Sequence, residues 1–420
     1  MKKIFTIIAA IAVFTNVQAQ RYKDKIFTSV SIDSVVYGTA NTFSNAPQDL
    51  KMNIYQPVND TATNRPLLVF AHGGSFVGGS RYAGDVVYLC NEFAKRGYVC
   101  VSIQYRLGVD ITEILLDQSQ AGPQFANAVW RGTLDGRGAI RYLRANANTY
   151  KISLGQVYLG GVSAGGVLGL HEAFLDLPSE VGAANPKFDT VTIGGIEGTS
   201  GTPGQSWRVK GVMSLCGAIG DVNWMSNNKN VSIFSVHGTK DATVPYKTDY
   251  FSYNNLKIGI LSGSFVVDSM AKILGMKSVF YTFKDAPHIP FSPGVGTVES
   301  STAYMDTTET LLRDFLFDDI KTQGVGVYNV LAPNDVKLYP NPAKEMVTID
   351  IAFGTKNVIT LMDLSGKIIE TIESNKASTD KNFIPLNFPK LNRNTSYIPS
   401  ELATVLIHAK GALAVANLYL

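Results

Sequence analysis

The chain has 420 residues, 45% of them apolar and 17% charged, so it can bury a sizeable core and is no long disordered polar chain. Its 37 Lys and Arg against 34 Asp and Glu leave a net charge of +3 with no basic block, which argues against an electrostatic nucleic-acid binder. Three cysteines and five scattered histidines without an H-x-x-x-H pair exclude a disulfide scaffold and give no sign of a metal centre.

At the N-terminus, Lys2 and Lys3 precede an apolar-rich run from Ile4 to Phe14, and Val17-Gln18-Ala19 follows. This is the layout of a signal peptide spanning residues 1–19 and cleaved after Ala19. The run falls well short of the ~20 residues a membrane span needs, so no transmembrane helix is expected. The mature protein is then expected to be secreted or held at the cell surface. In an oxidising compartment Cys90 could pair with Cys100; three buried thiols, Cys216 included, are the simpler expectation.

Residues 20–323 alternate apolar, β-branched runs with helix-length amphipathic stretches. Thr28–Tyr37 and Leu50–Tyr55 alternate in polarity and suit an antiparallel edge. Predicted strands follow at Leu67–Ala71, Tyr98–Gln104, Gln156–Gly160, Val209–Leu215, Ile233–Val236 and Val279–Phe283. Predicted helices cover Asp85–Lys95, Gln124–Asn146, Gly165–Phe174 and Ala303–Phe317. Such alternation means βαβ units and a mostly parallel sheet with helices on both faces, an α/β fold. Pro66-Leu-Leu-Val-Phe-Ala71 is continuously apolar, as a buried parallel strand requires.

Residues 324–336 read as a linker. Residues 337–420 read as a small β-rich module with short runs at Met346–Ile351, Val358–Asp363 and Lys367–Ile372. Leu338-Tyr-Pro-Asn-Pro-Ala-Lys344, Val347-Thr-Ile349 and Ile359-Thr-Leu-Met-Asp-Leu-Ser-Gly-Lys367 occur in that order. This stretch resembles the C-terminal sorting domain of the type IX secretion system, which implies that secretion machinery is a partner. From Asn382 to Leu420 the chain departs from that pattern, which usually closes on a strand pair and a basic tail.

Two motifs carry chemistry. Gly161-Val-Ser163-Ala-Gly165 follows a predicted strand and opens a predicted helix, the setting of a nucleophile elbow. A serine there stands on a tight turn above the sheet, beside unpaired N–H groups at a helix N-terminus. His72-Gly73-Gly74-Ser75 follows the strand Leu67–Ala71, where glycines can turn backbone N–H groups toward a developing oxyanion. The two motifs support each other in that order.

On these motifs, with Tyr98–Gly108 and Asp135–Arg144, the region from Leu50 to Phe317 resembles the α/β-hydrolase superfamily, nearest its carboxylesterase and hormone-sensitive-lipase-like branch. The resemblance implies an oxyanion hole from the N–H groups of Gly74, Ser75 and Ala164. Serine replaces the family's usual glycine at Ser75, and its N–H can still donate.

A triad needs an acid and then a histidine downstream of the serine. Asp241 lies just past the strand Ile233–Val236, in His237-Gly-Thr-Lys-Asp241-Ala-Thr-Val-Pro245, ahead of an expected helix. Asp285 shares a short loop with the histidine and Asp221 comes too early. His288, in the loop after the last strand, is the expected base. His72 belongs to the oxyanion turn, His171 to the helix after Ser163, His237 precedes the acid, and His408 lies in the atypical tail. The glycine-rich Ile193–Gly204 suits a substrate loop or lid, or a flexible surface insertion. Trp130, Trp207 and Trp224 suit the core better than a pocket.

The expected activity is serine-based hydrolysis of a small or polymer-linked carboxylic ester through an acyl-enzyme, with no cofactor. A serine peptidase of the same fold and a catalytically silent binding protein are the alternatives. The short segment before Leu50 leaves no room for a peptidase's gating propeller, and Ser163, Asp241 and His288 are all retained.

Overall fold

The computed structural model describes residues 20–292 and 303–320 in full, and beyond them the backbone of 302 and 321 and of seven strands between Val336 and Leu418. The expected signal segment and most of the expected linker lie outside the described residues. The chain divides into two compact units, residues 1–318 and 319–420.

The first unit is built on one eight-stranded sheet. In chain order its strands are β1 (Val30–Asn41), β2 (Pro47–Pro57), β3 (Arg65–Ala71), β4 (Val99–Ile103), β5 (Ile152–Val162), β6 (Gly211–Leu215), β7 (Ser232–Gly238) and β8 (Ser278–Phe283). In space they run β1-β2-β4-β3-β5-β6-β7-β8. The first two pairings, β1 with β2 and β2 with β4, are antiparallel; the rest are parallel. β1 exposes most of its residues at the edge, while every residue of β3, β4, β6 and β7 is buried. Burying each large aliphatic side chain of these strands contributes ~1.5–3 kcal/mol, which makes the central strands the most stable part of the unit.

Helices α1 (Gly84–Ala94), α2 (Ala121–Ala145), α3 (Ala164–Phe174), α4 (Ser264–Ile273) and α5 (Thr302–Lys321) accompany the sheet. From β3 the chain steps through α1 to β4 on one side, whereas from β4 onward it steps the other way. Right-handed crossovers therefore put α1 and α2–α3 on opposite faces. Contacts agree: α2 and α3 pack on each other, and α1 packs on β4. α5 joins α1, where Tyr88 donates to Glu309 Oε2 at 2.7 Å and Arg96 to Oε1 at 2.6 Å. The strand order reverses between β3 and β5, and in open α/β sheets ligands bind beyond the carboxyl ends of the strands at such a point.

Two expectations need correction. No helix follows Asp241 directly. A hairpin of Thr248–Tyr253 and Leu256–Gly263 intervenes, pairs with Ala218–Ile219 as a second small sheet, and only then does α4 begin. Nor is Ile193–Gly204 a lid or a loose insertion: Arg137 donates to the Ile196 carbonyl, Arg141 to that of Ser200 and Trp130 Nε1 to that of Gly194, pinning the segment to α2.

The second unit holds two antiparallel sheets. One orders Val336–Tyr339, Met346–Ile351 and Asn382–Asn387. The other orders Ile368–Ser374, Asn357–Met362, Ala403–Ala409 and Ala412–Leu418. The last two strands form a hairpin inside the stretch expected to depart from the sorting-domain pattern.

Cys90, Cys100 and Cys216 are all free and buried, so no Cys90–Cys100 bridge forms. Burial pushes all three thiols up, which suppresses the reactive thiolate. Ellman's reagent should find no thiol in the folded protein and all three after denaturation without reductant; a single thiol on denaturation would mean that two are paired.

Candidate active site

Ser163 stands between β5 and α3 with φ 55° and ψ −113°, a strained geometry for a residue with a side chain. Three backbone contacts hold it there. Its N–H donates to the Leu215 carbonyl at the end of β6 at 2.8 Å, and its carbonyl accepts from Val167 at 3.0 Å. Behind it, Gly165 lies so close to β3 that a Cβ would sit 2.0 Å from the Ala71 carbonyl. Only glycine fits, and the serine side chain is therefore thrown out beyond the sheet.

The neighbouring strand β3 ends at Ala71, paired with Gly161, and runs into the His72-Gly73-Gly74 turn. Gly74 has φ +115°, and a Cβ there would meet the Gly78 carbonyl at 2.3 Å. Ser75 and Phe76 follow with positive φ. Among the described residues the N–H groups of Gly74, Ser75 and Ala164 donate to no backbone carbonyl. Ser75, Ser163 and Ala164 border one cavity.

Asp241 follows β7 and is closed off from solvent. Its Oδ1 accepts from the N–H groups of Thr243 and Val244, both at 2.9 Å. Its Oδ2 faces His288 Nδ1 at 2.6 Å and His237 Nε2 at 3.1 Å. Burial pushes its carboxyl up, but the hydrogen bonds from His237 and His288 outweigh burial and hold it well below the usual carboxylate range. His288, from the loop after β8, spans the gap to the serine with Nε2 2.8 Å from Ser163 Oγ. Since Nδ1 faces a carboxylate, it carries the proton, and Nε2 is left to accept from the serine hydroxyl.

Other residues fall elsewhere. Asp285 pairs with Lys240 at the surface. Asp221 caps the short helix Val222–Asn227 through the Asn223 N–H and touches the cavity wall. His72 faces the Gly73 carbonyl with Nδ1 and Gln104 with Nε2, and burial pulls it down to about 4. His171 contacts the Val167 carbonyl and the Gly220 N–H, and burial likewise pulls it down to about 4. His408 lies in the second unit. His237, set aside in the sequence as merely preceding the acid, touches Asp241 instead. The four-residue spacing on a strand end was its only signal.

The cavity holds about 250 Å³ and is walled by Phe125, Val129, Val167, Phe188, Trp224 and Phe251. Among the described residues neither a Lys nor an Arg borders it, and no residue of 193–204 does. Trp224 lines it while still packed in the hydrophobic core, as expected, and Trp130 and Trp207 are buried as well. Cys216 Sγ, an Asp241 oxygen and a His288 nitrogen lie within 4.8 Å of one another, but the proton between Asp241 and His288 already satisfies that pair.

Glu172, two turns along α3 from Ser163, is fully buried and neither of its oxygens has a hydrogen-bond partner among the described residues. Burial pushes it up to about 8, against the opposing pull of Arg137, Arg144 and Arg208.

Residues 52–190 match the family model BD-FAE, and residues 337–393 match the Secretion system C-terminal sorting domain. Pyrethroid hydrolase Ces2a of Mus musculus is 38% identical over 118 residues, 28% of this chain and 19% of that protein. Carboxylesterase 3 of Pongo abelii is 34% identical over 133 residues, 31% of this chain and 22% of that protein. The chain thus spans about a fifth of the length of these curated relatives. The apo form of Thermogutta terrifontis esterase 2 aligns at 21% identity and TM-score 0.47, over 68% of this chain and 94% of that one.

The raised Glu172 carboxyl makes a prediction. A folded-state pKa above the unfolded one costs nothing below the ordinary carboxyl range, and the cost grows as pH climbs toward 8. Glu172→Gln should therefore melt a few degrees above wild type at pH 8 and level with it near pH 4, by calorimetry at both pH values.

Its strand order and its strained serine turn make the first unit an α/β-hydrolase fold, with residues 52–190 similar to the BD-FAE family and residues 337–393 similar to the Secretion system C-terminal sorting domain.

Proposed function

We propose that the first unit is a serine hydrolase of carboxylic esters working through an acyl-enzyme. The observation that carries this reading is the single imidazole of His288, 2.8 Å from Ser163 Oγ on one side and 2.6 Å from Asp241 Oδ2 on the other. Ser163 Oγ attacks the ester carbonyl as His288 Nε2 takes its proton. Asp241 holds the ring in that tautomer and stabilises the imidazolium that forms. The oxyanion is met by the N–H groups of Gly74, Ser75 and Ala164, each such donor contributing ~3 kcal/mol in comparable sites. His288 then gives its proton to the leaving alcohol, and the same ring activates the water that releases the acid. None of these steps calls on a cofactor.

An uncharged acyl group suits the cavity, because a largely aromatic and aliphatic lining that also includes Asp221, with no lysine or arginine among the described residues, cannot offset a buried carboxylate. The sorting-domain segment supports export to the cell surface or beyond by machinery that reads it, and no helix among the described residues is long and apolar enough to cross a membrane.

The test is hydrolysis of p-nitrophenyl esters by the mature protein. Activity should rise from acetate to butyrate, as each CH₂ buried adds ~0.8 kcal/mol, and should be negligible on a hemisuccinate. Ser163→Ala should lower kcat/KM at least about a thousandfold with the fold intact. Full activity in that variant would overturn the assignment. An enzyme inactive on every ester but active on peptide anilides would favour the peptidase.

A further inference from the structure

The Asp241 carboxylate serves two imidazoles, and the reaction as described uses only one. His237 is wholly buried at the end of β7. Its Nε2 lies 3.1 Å from Asp241 Oδ2 and 3.2 Å from the Val244 carbonyl. Both are acceptors, so Nε2 carries a proton. Its Nδ1 lies 2.9 Å from Ser264 Oγ, at the start of α4. That hydroxyl can donate to the ring, or accept from it and donate onward to the Gly217 carbonyl at 3.4 Å. Tyr246 stands edge-on to the ring at 5.7 Å between centroids.

A carboxylate has about four lone-pair sites, and Asp241 fills all four. Two backbone N–H groups meet Oδ1; His237 and His288 meet Oδ2. The amides anchor one oxygen. The direction of the other, which aims at His288, depends on His237. We propose that His237 is a positioning residue: its Nε2–H fixes Asp241 Oδ2 toward His288 Nδ1, and Ser264 fixes His237 in turn. The inference rests on the serine hydrolase reading.

Losing that donor has two consequences. One Oδ2 lone pair is left buried and unmet, and the carboxylate gains freedom to turn. The negative charge also falls more heavily on His288, which holds its proton more tightly. The acid limb of kcat/KM should then move to higher pH. The titratable groups facing the two rings are Asp241 and the Cys216 thiol; Tyr246 packs its ring edge-on against His237 with its hydroxyl on Thr282 Oγ1, and Lys240 and Asp285 pair with each other on the neighbouring surface. All of them are unchanged in the variants.

The test compares His237→Leu with His237→Gln, whose amide N–H can still reach Asp241. The leucine variant should lose about tenfold or more in kcat, with KM little changed and the acid limb displaced upward. The glutamine variant should keep most of the activity and the wild-type pH profile. A leucine variant with wild-type kcat and pH profile, or a glutamine variant as damaged as leucine, overturns the proposal. A wild type inactive on every ester sinks the hydrolase reading instead. Should the leucine variant not fold, ¹⁵N-histidine NMR of the wild type decides, with the His237 signals identified by their loss in the glutamine variant. A protonated Nε2 supports the proposal, and a bare Nε2 overturns it.

Discussion

The carbonyl of Ala71 sets the position of everything at the site. It ends β3, and the turn after β5 folds down onto it so closely that Gly165 has no room for a side chain. That contact locks two neighbouring strand ends together at the point where the sheet reverses its order. One end delivers the glycine turn with its free N–H groups, the other delivers Ser163 and the N-terminus of α3. Ser163, the proposed nucleophile, and the N–H groups proposed to meet the developing charge are thus fixed by backbone, before any side-chain packing is considered. The strain at Ser163 is sustained by the Leu215 and Val167 hydrogen bonds on either side of it.

Much of this was readable in the sequence, for physical reasons. Parallel strands buried on both sides tend to be continuously apolar, so Pro66–Ala71 of β3 stands out. A strained serine turn demands small neighbours, so Gly161-Val-Ser-Ala-Gly165 stands out as well. Asp241 and His288 were expected as acid and base from their order along the chain. The structure brings both within hydrogen-bond reach of one ring or of the serine, though from loops whose paths no spacing could reveal.

What escaped is equally specific. The hairpin after Asp241 turns on Asn254-Asn255, both with positive φ, and a two-residue turn of this kind is a hairpin signal. The flanking strands alternate weakly, which hid it, yet this hairpin supplies Phe251 and Ile258 to the cavity wall. The glycine-rich segment 193–204 looked mobile because composition says nothing about the arginines of α2 that reach its carbonyls. His237 looked incidental because its partner Ser264 lies 27 residues away, beyond the hairpin.

The electrostatics of Asp241 follow from the same wiring. Among the described residues its charge has no lysine or arginine partner; its ion-pair contacts are the two imidazoles. A permanent cation beside it would neutralise the carboxylate in every state and contribute equally before and during the reaction. Hydrogen bonds from neutral groups keep it ionised and leave its charge uncompensated. In the proposed reaction the full attraction then appears only when His288 takes the serine proton and becomes a cation. Interactions that strengthen on the way to the transition state lower the barrier, whereas those already present in the resting enzyme do not. A buried carboxylate held by amides and imidazoles is therefore better suited to assist that proton transfer than one held in a salt bridge.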